Sequence, residues 1–526
     1  MNKPVIYIVG AGPGDPSLIS VKGRRHLQSA DVVVYDHRVH ARVLRLAKPG
    51  AERIDVGPAA PKPMEQDAIS YLLAEKAREG RTVVRLKWGD PFVFDSGGKE
   101  ALFLHEQGIP FEVVPGIPAA IGGTAYAGVP VTYPEAGDVV AFVRGNESET
   151  DTPPNVDWER LAQLGATVVC YAGSKQIAAI THALVAHGRS PEEPAALIYD
   201  ATLPSQVTVE GGLGGIAGSA REAAPAILVV GRVVGLRQHL RWFDDRPLFG
   251  RRIVVTRSRE QADELIDMLE ERGAEAILSP TIRIAPPEDP SALERACAEI
   301  GGFDWLVFSS ANAVDAFMER LLAVADVREL KGVRICTVGE STASRLATYG
   351  IRVDLVPPEF RAEALVETLK GTGQVEGRRV LFPRADIARD VIADELRAAG
   401  AEVVDVIAYR TLLGSPERDG DYDIYRMLLD RQIDAVTFTS ASSVRNFAQI
   451  LGPEQAADLL RTTVVASIGP VTAEAAQQLD IATDVMPERF TVPDLVDALV
   501  AHFGGAGQPP GEGEPTAVES RRSADL

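Results

Sequence analysis

The stretch F-S-S-A-N-A-V-D-A-F, Phe308 to Phe317, returns 130 residues later as F-T-S-A-S-S-V-R-N-F, Phe438 to Phe447. T-V-G-E-S-T-A at Thr337 to Ala343 answers S-I-G-P-V-T-A at Ser467 to Ala473 with the same offset. Upstream, R-R-I-V-V-T-R ending at Arg257 matches R-R-V-L-F-P-R ending at Arg384, and G-A-E-A at Gly273 matches G-A-E-V at Gly400, both 127 residues apart. A duplicated unit of this length gives a pair of lobes, not a solenoid of short repeats. Two similar lobes enclose a cleft.

In each copy an apolar strand ends in small hydroxylated residues ahead of a helix, and a second strand ends in G-x-x-T-A. Ser310, Thr342, Ser440 and Thr472 therefore stand near helix starts. Hydroxyls and free backbone N–H groups there hold carboxylates without fixed charge. The same residues also read as plain N-caps. Their recurrence at equal spacing predicts a polycarboxylate ligand between the lobes.

Outward from the repeat, apolar strands alternate with amphipathic helices along the whole chain, the pattern of α/β domains with largely parallel sheets. Strands are expected at Val5 to Val9, Asp31 to Tyr35, Thr82 to Leu86, Thr167 to Tyr171, Ala226 to Val230, Arg252 to Thr256, Trp305 to Phe308 and Ala435 to Thr439. At 526 residues there is room for three or four folding units at roughly 150 residues each. The main boundary falls at W-F-D-D-R-P-L-F-G, Trp242 to Gly250, and a weaker linker runs from Asn146 to Asn155. From Gly504 to Leu526 the chain is rich in Gly, Pro, Glu and Ser, the composition of a disordered tail.

A formal charge of −20 argues against nucleic acid and anionic membrane as partners, since both demand a basic surface. No signal peptide or membrane-length apolar run is evident, and a cytoplasmic location is expected. Cys170, Cys297 and Cys336 are far apart and form no C-x-x-C, so neither a disulfide scaffold nor a metal site is expected.

The first strand runs into G-A-G-P-G-D, Gly10 to Asp15, a turn whose glycines let backbone approach a ligand. Asp15 occupies the third glycine position of a dinucleotide fingerprint, so that motif is not met. Asp36, at the end of the second strand, stands near a ribose-binding acid's position and keeps a nicotinamide cofactor as an alternative; it also reads as a helix cap.

V-V-R-L-K-W-G-D-P-F-V-F (Val83 to Phe94), V-V-P-G-I-P-A-A (Val113 to Ala120), A-Y-A-G-V-P-V-T (Ala125 to Thr132), V-V-C-Y-A-G (Val168 to Gly173) and P-A-I-L-V-V-G-R-V-V (Pro225 to Val234) follow in order. Together with G-A-G-P-G-D they resemble the uroporphyrinogen-III C-methyltransferases of the tetrapyrrole methylase family, over nearly all of residues 1–245. The resemblance implies two αβα subdomains, about 1–145 and 155–245, with S-adenosylmethionine between them, in a homodimer. It implies cofactor contacts from Pro13, Trp88, Gly89, Asp90, Val93, Pro118, Ala119, Ala172 and Ala201, and an acid/base role for Asp36 beside the tetrapyrrole. Methylation needs an electron-rich pyrrole carbon in line with the sulfonium methyl and removal of one proton. Seven positions depart from the family pattern. Trp88 replaces the first glycine of G-G-D-P, Pro58 the lysine of V-G-K, and Ala172 the methionine of Y-M-G. Tyr133 and Pro134 replace His-Arg, and Arg144 and Asn146 break T-G-H. These changes fill space and remove charge, which implies weakened or altered methylation.

T-R-S-R-E-Q-A (Thr256 to Ala262), the two repeats and V-I-A-Y-R-T (Val406 to Thr411) resemble uroporphyrinogen-III synthase over about 247–503. The resemblance implies closure of hydroxymethylbilane to uroporphyrinogen III with inversion of the last ring and without a cofactor. It implies that Tyr409 assists departure of the hydroxyl and that Ser310, Thr342, Ser440 and Thr472, with charge added by Arg257 and Arg384, hold acetate and propionate groups. It also implies exchanged lobes: one from about 247–284 plus 411–503, the other from about 285–410. The product of the second half is the substrate of the first. A reading from a different class is a two-lobed anion-binding or regulatory module fused to a degenerate methyltransferase.

Overall fold

The computed structural model describes residues 5–36, 38–48, 50–58, 60, 62–136, 139–145, 154–221, 224–358, 362–387, 390–414 and 422–505. Most of the expected linker at 146–155 and all but the first two residues of the expected tail at 504–526 lie outside these; Gly504 and Gly505 end the helix Val492–Gly505.

Among the described residues four sheets carry the fold. The first joins β1 (Ile6–Gly10), β2 (Val32–Tyr35), β3 (Glu52–Asp55), β4 (Val83–Lys87) and β5 (Phe111–Val114) in the order β3-β2-β4-β1-β5, all parallel. The second joins β6 (Val140–Arg144), β7 (Thr167–Ala172), β8 (Pro194–Tyr199), β9 (Val207–Gly212) and β10 (Ala226–Val230) in the order β6-β7-β10-β8-β9. Only β6 and β7 are parallel there. The other three pairings are antiparallel, so this sheet departs from the parallel expectation. A short connection from β8 to β9 through Asp200–Gln206, with Leu203 N donating to Asp200 O, makes a hairpin.

The second half interleaves two sheets built from β11 (Arg252–Val255), β12 (Glu275–Leu278), β13 (Ile282–Ala285), β14 (Trp305–Phe308), β15 (Arg334–Thr337), β16 (Arg379–Ala385), β17 (Glu402–Leu413), β18 (Ala435–Phe438) and β19 (Val464–Ser467). One sheet has the order β12-β11-β18-β19, the other β13-β17-β16-β14-β15. Strands such as β14 and β18 are buried at every position, as strands covered by helices on both faces must be.

The repeat explains this interleaving. By sequence offset β11 corresponds to β16, β12 to β17, β14 to β18 and β15 to β19. Each sheet therefore takes two strands from the early half of one copy and two from the late half of the other. The joints repeat in detail. Asp434 accepts from Arg252 N at 2.8 Å in one sheet, and Asp304 from Arg379 N at 2.9 Å in the other. Phe308 meets Phe317 edge-on at 5.6 Å, and Phe438 meets Phe447 likewise at 5.5 Å. Each ring pair fixes a strand against its following helix and adds about 0.5–1.5 kcal/mol beyond burial.

Trp242 to Gly250 is packed, not slack. Trp242 Nε1 donates to Ala125 O at 3.0 Å, Phe243 and Leu248 are buried, and Arg246 stacks on Trp242 and donates to Glu270 O. Arg42 also pairs with Glu270, tying the first half to the helix Arg259–Glu271 of the second. Among the described residues no helix is long and apolar enough to cross a membrane.

Candidate functional site

The first site grows from two loops laid back to back. Gly12 and Gly89 exchange backbone bonds, Gly12 N to Gly89 O at 3.2 Å and Gly89 N to Gly12 O at 2.8 Å. Both have positive φ, 82° and 66°, a conformation open to glycine at little cost. Gly10 faces Gly116 so closely that a Cβ on Gly10 would lie 2.5 Å from Gly116 N. Asp90 locks this floor, accepting from Phe92 N at 2.8 Å and from Gly116 N at 3.0 Å. Asp15 is likewise structural, accepting from Ser17 N and from Tyr126 Oη at 2.7 Å.

Two adjoining cavities open from these loops. The smaller, about 230 Å³, is lined by Pro13, Ala172 and Ala201 among others. The larger, about 660 Å³, is lined by Asp36, Gly89, Asp90, Val93, Pro118 and Ala119 among others. Trp88, Tyr171 and Arg38 line both and form the partition between them. The Trp88 indole is held by a 3.0 Å bond from Nε1 to Pro13 O, with the Arg38 guanidinium 5.4 Å above its ring. Tyr171 meets Trp88 edge-on at 6.3 Å, and its hydroxyl accepts from Ala120 N at 3.0 Å across the two sheets. The nine residues assigned to a cofactor by resemblance are thus gathered in one place but divided by an indole.

Beneath Asp36 lies a buried charge network. Arg85 and Lys87 are 1% exposed and Glu100 is fully buried. Arg85 bonds Asp36 at 2.7 Å and Glu100 at 3.1 Å; Lys87 bonds Asp95 at 2.8 Å, Ser96 Oγ at 2.7 Å and Glu100 at 3.3 Å. Burial alone would push the Glu100 carboxyl up, but Arg85 and Lys87 override it and hold the group below its ordinary value. Asp36 is therefore oriented from below by Arg85 rather than capping the next helix; the N-cap there is His40. Arg85 and Lys87 did carry a sequence signal, two cations within the buried strand V-V-R-L-K. Tyr171 lay inside the motif V-V-C-Y-A-G without a role of its own, and Arg38 carried no signal beyond standing two residues after Asp36.

In the second half, Ser310 and Thr342 follow β14 and β15 of one sheet, and Ser440 and Thr472 follow β18 and β19 of the other. Both serines cap their helices: Ser310 Oγ accepts from Ala313 N, and Ser440 Oγ from Ser443 N in a capping box, each at 3.1 Å. Thr342 and Thr472 are buried at the third helical position, after N-cap glycines 339 and 469. Tyr409 lies in β17, 7% exposed, with its hydroxyl 3.1 Å from Ser310 Oγ. Burial pushes its phenol up, against smaller opposing effects of Ser310 and Asn312. Arg257 stands after β11 with a buried Nε that has no partner, and burial lowers its pKa. Arg384 is engaged by Asp390 and by Asp405 at 3.6 Å within its own lobe.

Comparison with known proteins joins the two sites. Residues 5–217 match the tetrapyrrole (corrin/porphyrin) methylases, and residues 263–497 match the uroporphyrinogen-III synthase HemD family. The porphyrin biosynthesis protein HemD of Ruminiclostridium josui is 33% identical over 511 residues, 96% of this chain and 99% of that protein. The uroporphyrinogen-III C-methyltransferase of Bacillus subtilis (strain 168) is 36% identical over 371 residues, 70% of this chain and 76% of that protein. An S-adenosyl-L-methionine-dependent uroporphyrinogen III methyltransferase of Methanosarcina barkeri is 45% identical over 243 residues, 45% of this chain and 95% of that protein. With both halves matched in order and one relative aligned almost end to end, the chain belongs to the family of fused tetrapyrrole methylases and uroporphyrinogen-III synthases.

Proposed function

We propose that the chain catalyses two consecutive steps of tetrapyrrole biosynthesis: closure of hydroxymethylbilane to uroporphyrinogen III within about 247–503, and S-adenosylmethionine-dependent methylation of that product towards precorrin-2 within 1–245. The observation that carries this reading is the pairing, in one chain, of a family that makes uroporphyrinogen III with one that methylates it. The methyltransferase half is proposed to act as a homodimer.

The chain's residues fit the cofactor. Small walls at Gly89, Ala119, Ala172 and Ala201 leave room in two adjoining cavities, and the loop at Gly14 packs so tightly that a Cβ would lie 3.0 Å from Ala201 O. An extended molecule would occupy both once the Trp88 indole leaves the partition. When bound, the cofactor supplies an electrophilic methyl group. Asp36, tied through Oδ1 to Arg85, receives the proton that the methylated macrocycle releases from a pyrrole nitrogen or bridge carbon, because the methylated carbon already carries an acidic arm and has no hydrogen of its own. Holding the ring in line contributes the larger share, up to roughly 7–11 kcal/mol.

For closure, the Tyr409 phenol donates its proton to the departing hydroxyl, which leaves as water. The proton lost from the ring carbon as the macrocycle closes returns to the phenolate. Burial keeps the phenol protonated at neutral pH, as this role requires. Ser310, Thr342, Ser440 and Thr472 are proposed to seat the acidic side chains through neutral donors.

Purified chain supplied with hydroxymethylbilane, with and without S-adenosylmethionine, tests both halves. Type III isomer alone in the first case and its methylated product in the second are expected. An anion-binding module without activity would leave the bilane to close spontaneously to the type I isomer.

A further inference from the structure

Around the larger cavity the acids belong to the floor. Asp36 is bonded by Arg85, Asp95 by Lys87, and Asp90 by two backbone N–H groups. The cationic side chains lining it, among the described residues, are Arg38 and Arg144. They come from opposite sheets, because β6 already belongs to the second sheet although the expected first subdomain ran to about 145. Arg38 follows β2 and lies over Trp88; Arg144 ends β6, is exposed, and pairs in register with Tyr171. Pro58 lines the same cavity where the resembling family carries a lysine.

A polyacidic tetrapyrrole must enter this cavity against a chain charge of −20. Screening leaves little of that field beyond about 8–10 Å, so local cations decide whether carboxylates are seated. Guanidinium is suited to this, because its planar fork bonds a carboxylate bidentately. We infer that Arg38 and Arg144 form a two-sided carboxylate clamp that seats the tetrapyrrole across the larger cavity, replacing cationic contacts removed elsewhere in its wall. The clamp rests on the methyltransferase reading and names its specificity-determining residues.

The test uses the full chain and the variants Arg38→Gln, Arg144→Gln, Arg38→Lys and Arg144→Lys. Titration with fluorescent uroporphyrin III reads binding without turnover, and coproporphyrin III, with fewer carboxylates, serves as the comparison. Each Gln variant is expected to weaken uroporphyrin III binding and raise KM for uroporphyrinogen III about tenfold, or about 1.4 kcal/mol. Changes in kcat should be much smaller, each Lys variant should recover part of the loss, and coproporphyrin III should be affected less. Bilane closure by the same molecules should stay at wild-type levels, which reports an intact fold. Calorimetric affinity for S-adenosylmethionine should stay at the wild-type level in Arg144→Gln and should not fall in Arg38→Gln, where losing the guanidinium over Trp88 eases displacement of the indole. Wild-type uroporphyrin III affinity in both Gln variants overturns the clamp, as does a parallel loss of S-adenosylmethionine affinity. Arginine-dependent porphyrin binding without methyl transfer by the wild-type chain supports the clamp and defeats the methyltransferase reading instead.

Discussion

The hydroxyls of Tyr409 and Ser310 lie 3.1 Å apart although 99 residues separate them in sequence. One belongs to the early half of the second repeat copy and the other to the late half of the first. Their contact exists only because the copies exchange halves. It joins a strand-borne phenol to the cap of the helix Ala311–Val324, so the proposed acid is held by a rigid element.

Tyr409→Phe is expected to lower closure to the type III isomer by about 100-fold, within the range for loss of a positioned general acid. Stability should fall by only about 1 kcal/mol, because Ser310 keeps its bond from Ala313 N. Turnover with isomer analysis, beside circular dichroism, checks this. Because burial raises the phenol above its ordinary 10.0, Tyr409 stays protonated through neutral pH. Its stability contribution is full below that value and is lost only as pH rises through the higher folded value.

Trp88→Gly removes the partition between the two cavities. It is expected to tighten S-adenosylmethionine binding at least about tenfold, since the cofactor no longer displaces an indole bonded to Pro13 and stacked under Arg38. Isothermal calorimetry measures it. Weaker binding in the variant would instead make the indole a stacking surface for the cofactor.

Glu100→Gln leaves Arg85 and Lys87 buried with one fewer anion. Breaking such a network costs about 3–5 kcal/mol, so the first thermal transition should fall by about 10 °C. In the wild type, the depressed Glu100 carboxyl contributes stability above the ordinary 4.5 that is lost as pH falls through the folded value. Acid unfolding of the first half should therefore steepen below about pH 4.5 and be shallower in the variant.

Burial pushes the thiols of Cys170 and Cys336 up to about 12 and that of Cys297 up to about 11. None should react with iodoacetamide over minutes at about pH 8 in the native chain, and all three should react after denaturation. Mass spectrometry reads the labelling. Early modification at one position would mark local opening there.

Much of the architecture is legible in the chain itself. Strands such as Ala226–Val230 and Trp305–Phe308 match their expected bounds, because fully buried strands are short apolar runs between polar turns. The antiparallel pairing of β8, β9 and β10 was not legible, since strand direction depends on connection geometry rather than apolar pattern. The motif residues around the two adjoining cavities were legible as loops. Their division by Trp88 was not, because it depends on where one indole points.

The repeat of F-S-S-A and F-T-S-A by itself determined that two equivalent lobes exist, because the same apolar spacing must build the same strand-and-helix unit twice. It could not determine which halves combine. Tertiary structure decided that: β11 pairs with β18 and β16 with β14, so each sheet is completed by the other copy. Local sequence encodes a strand's periodicity but not its neighbour, and only long-range packing sets the neighbour that brings Tyr409 to Ser310 and Arg38 to Arg144's cavity.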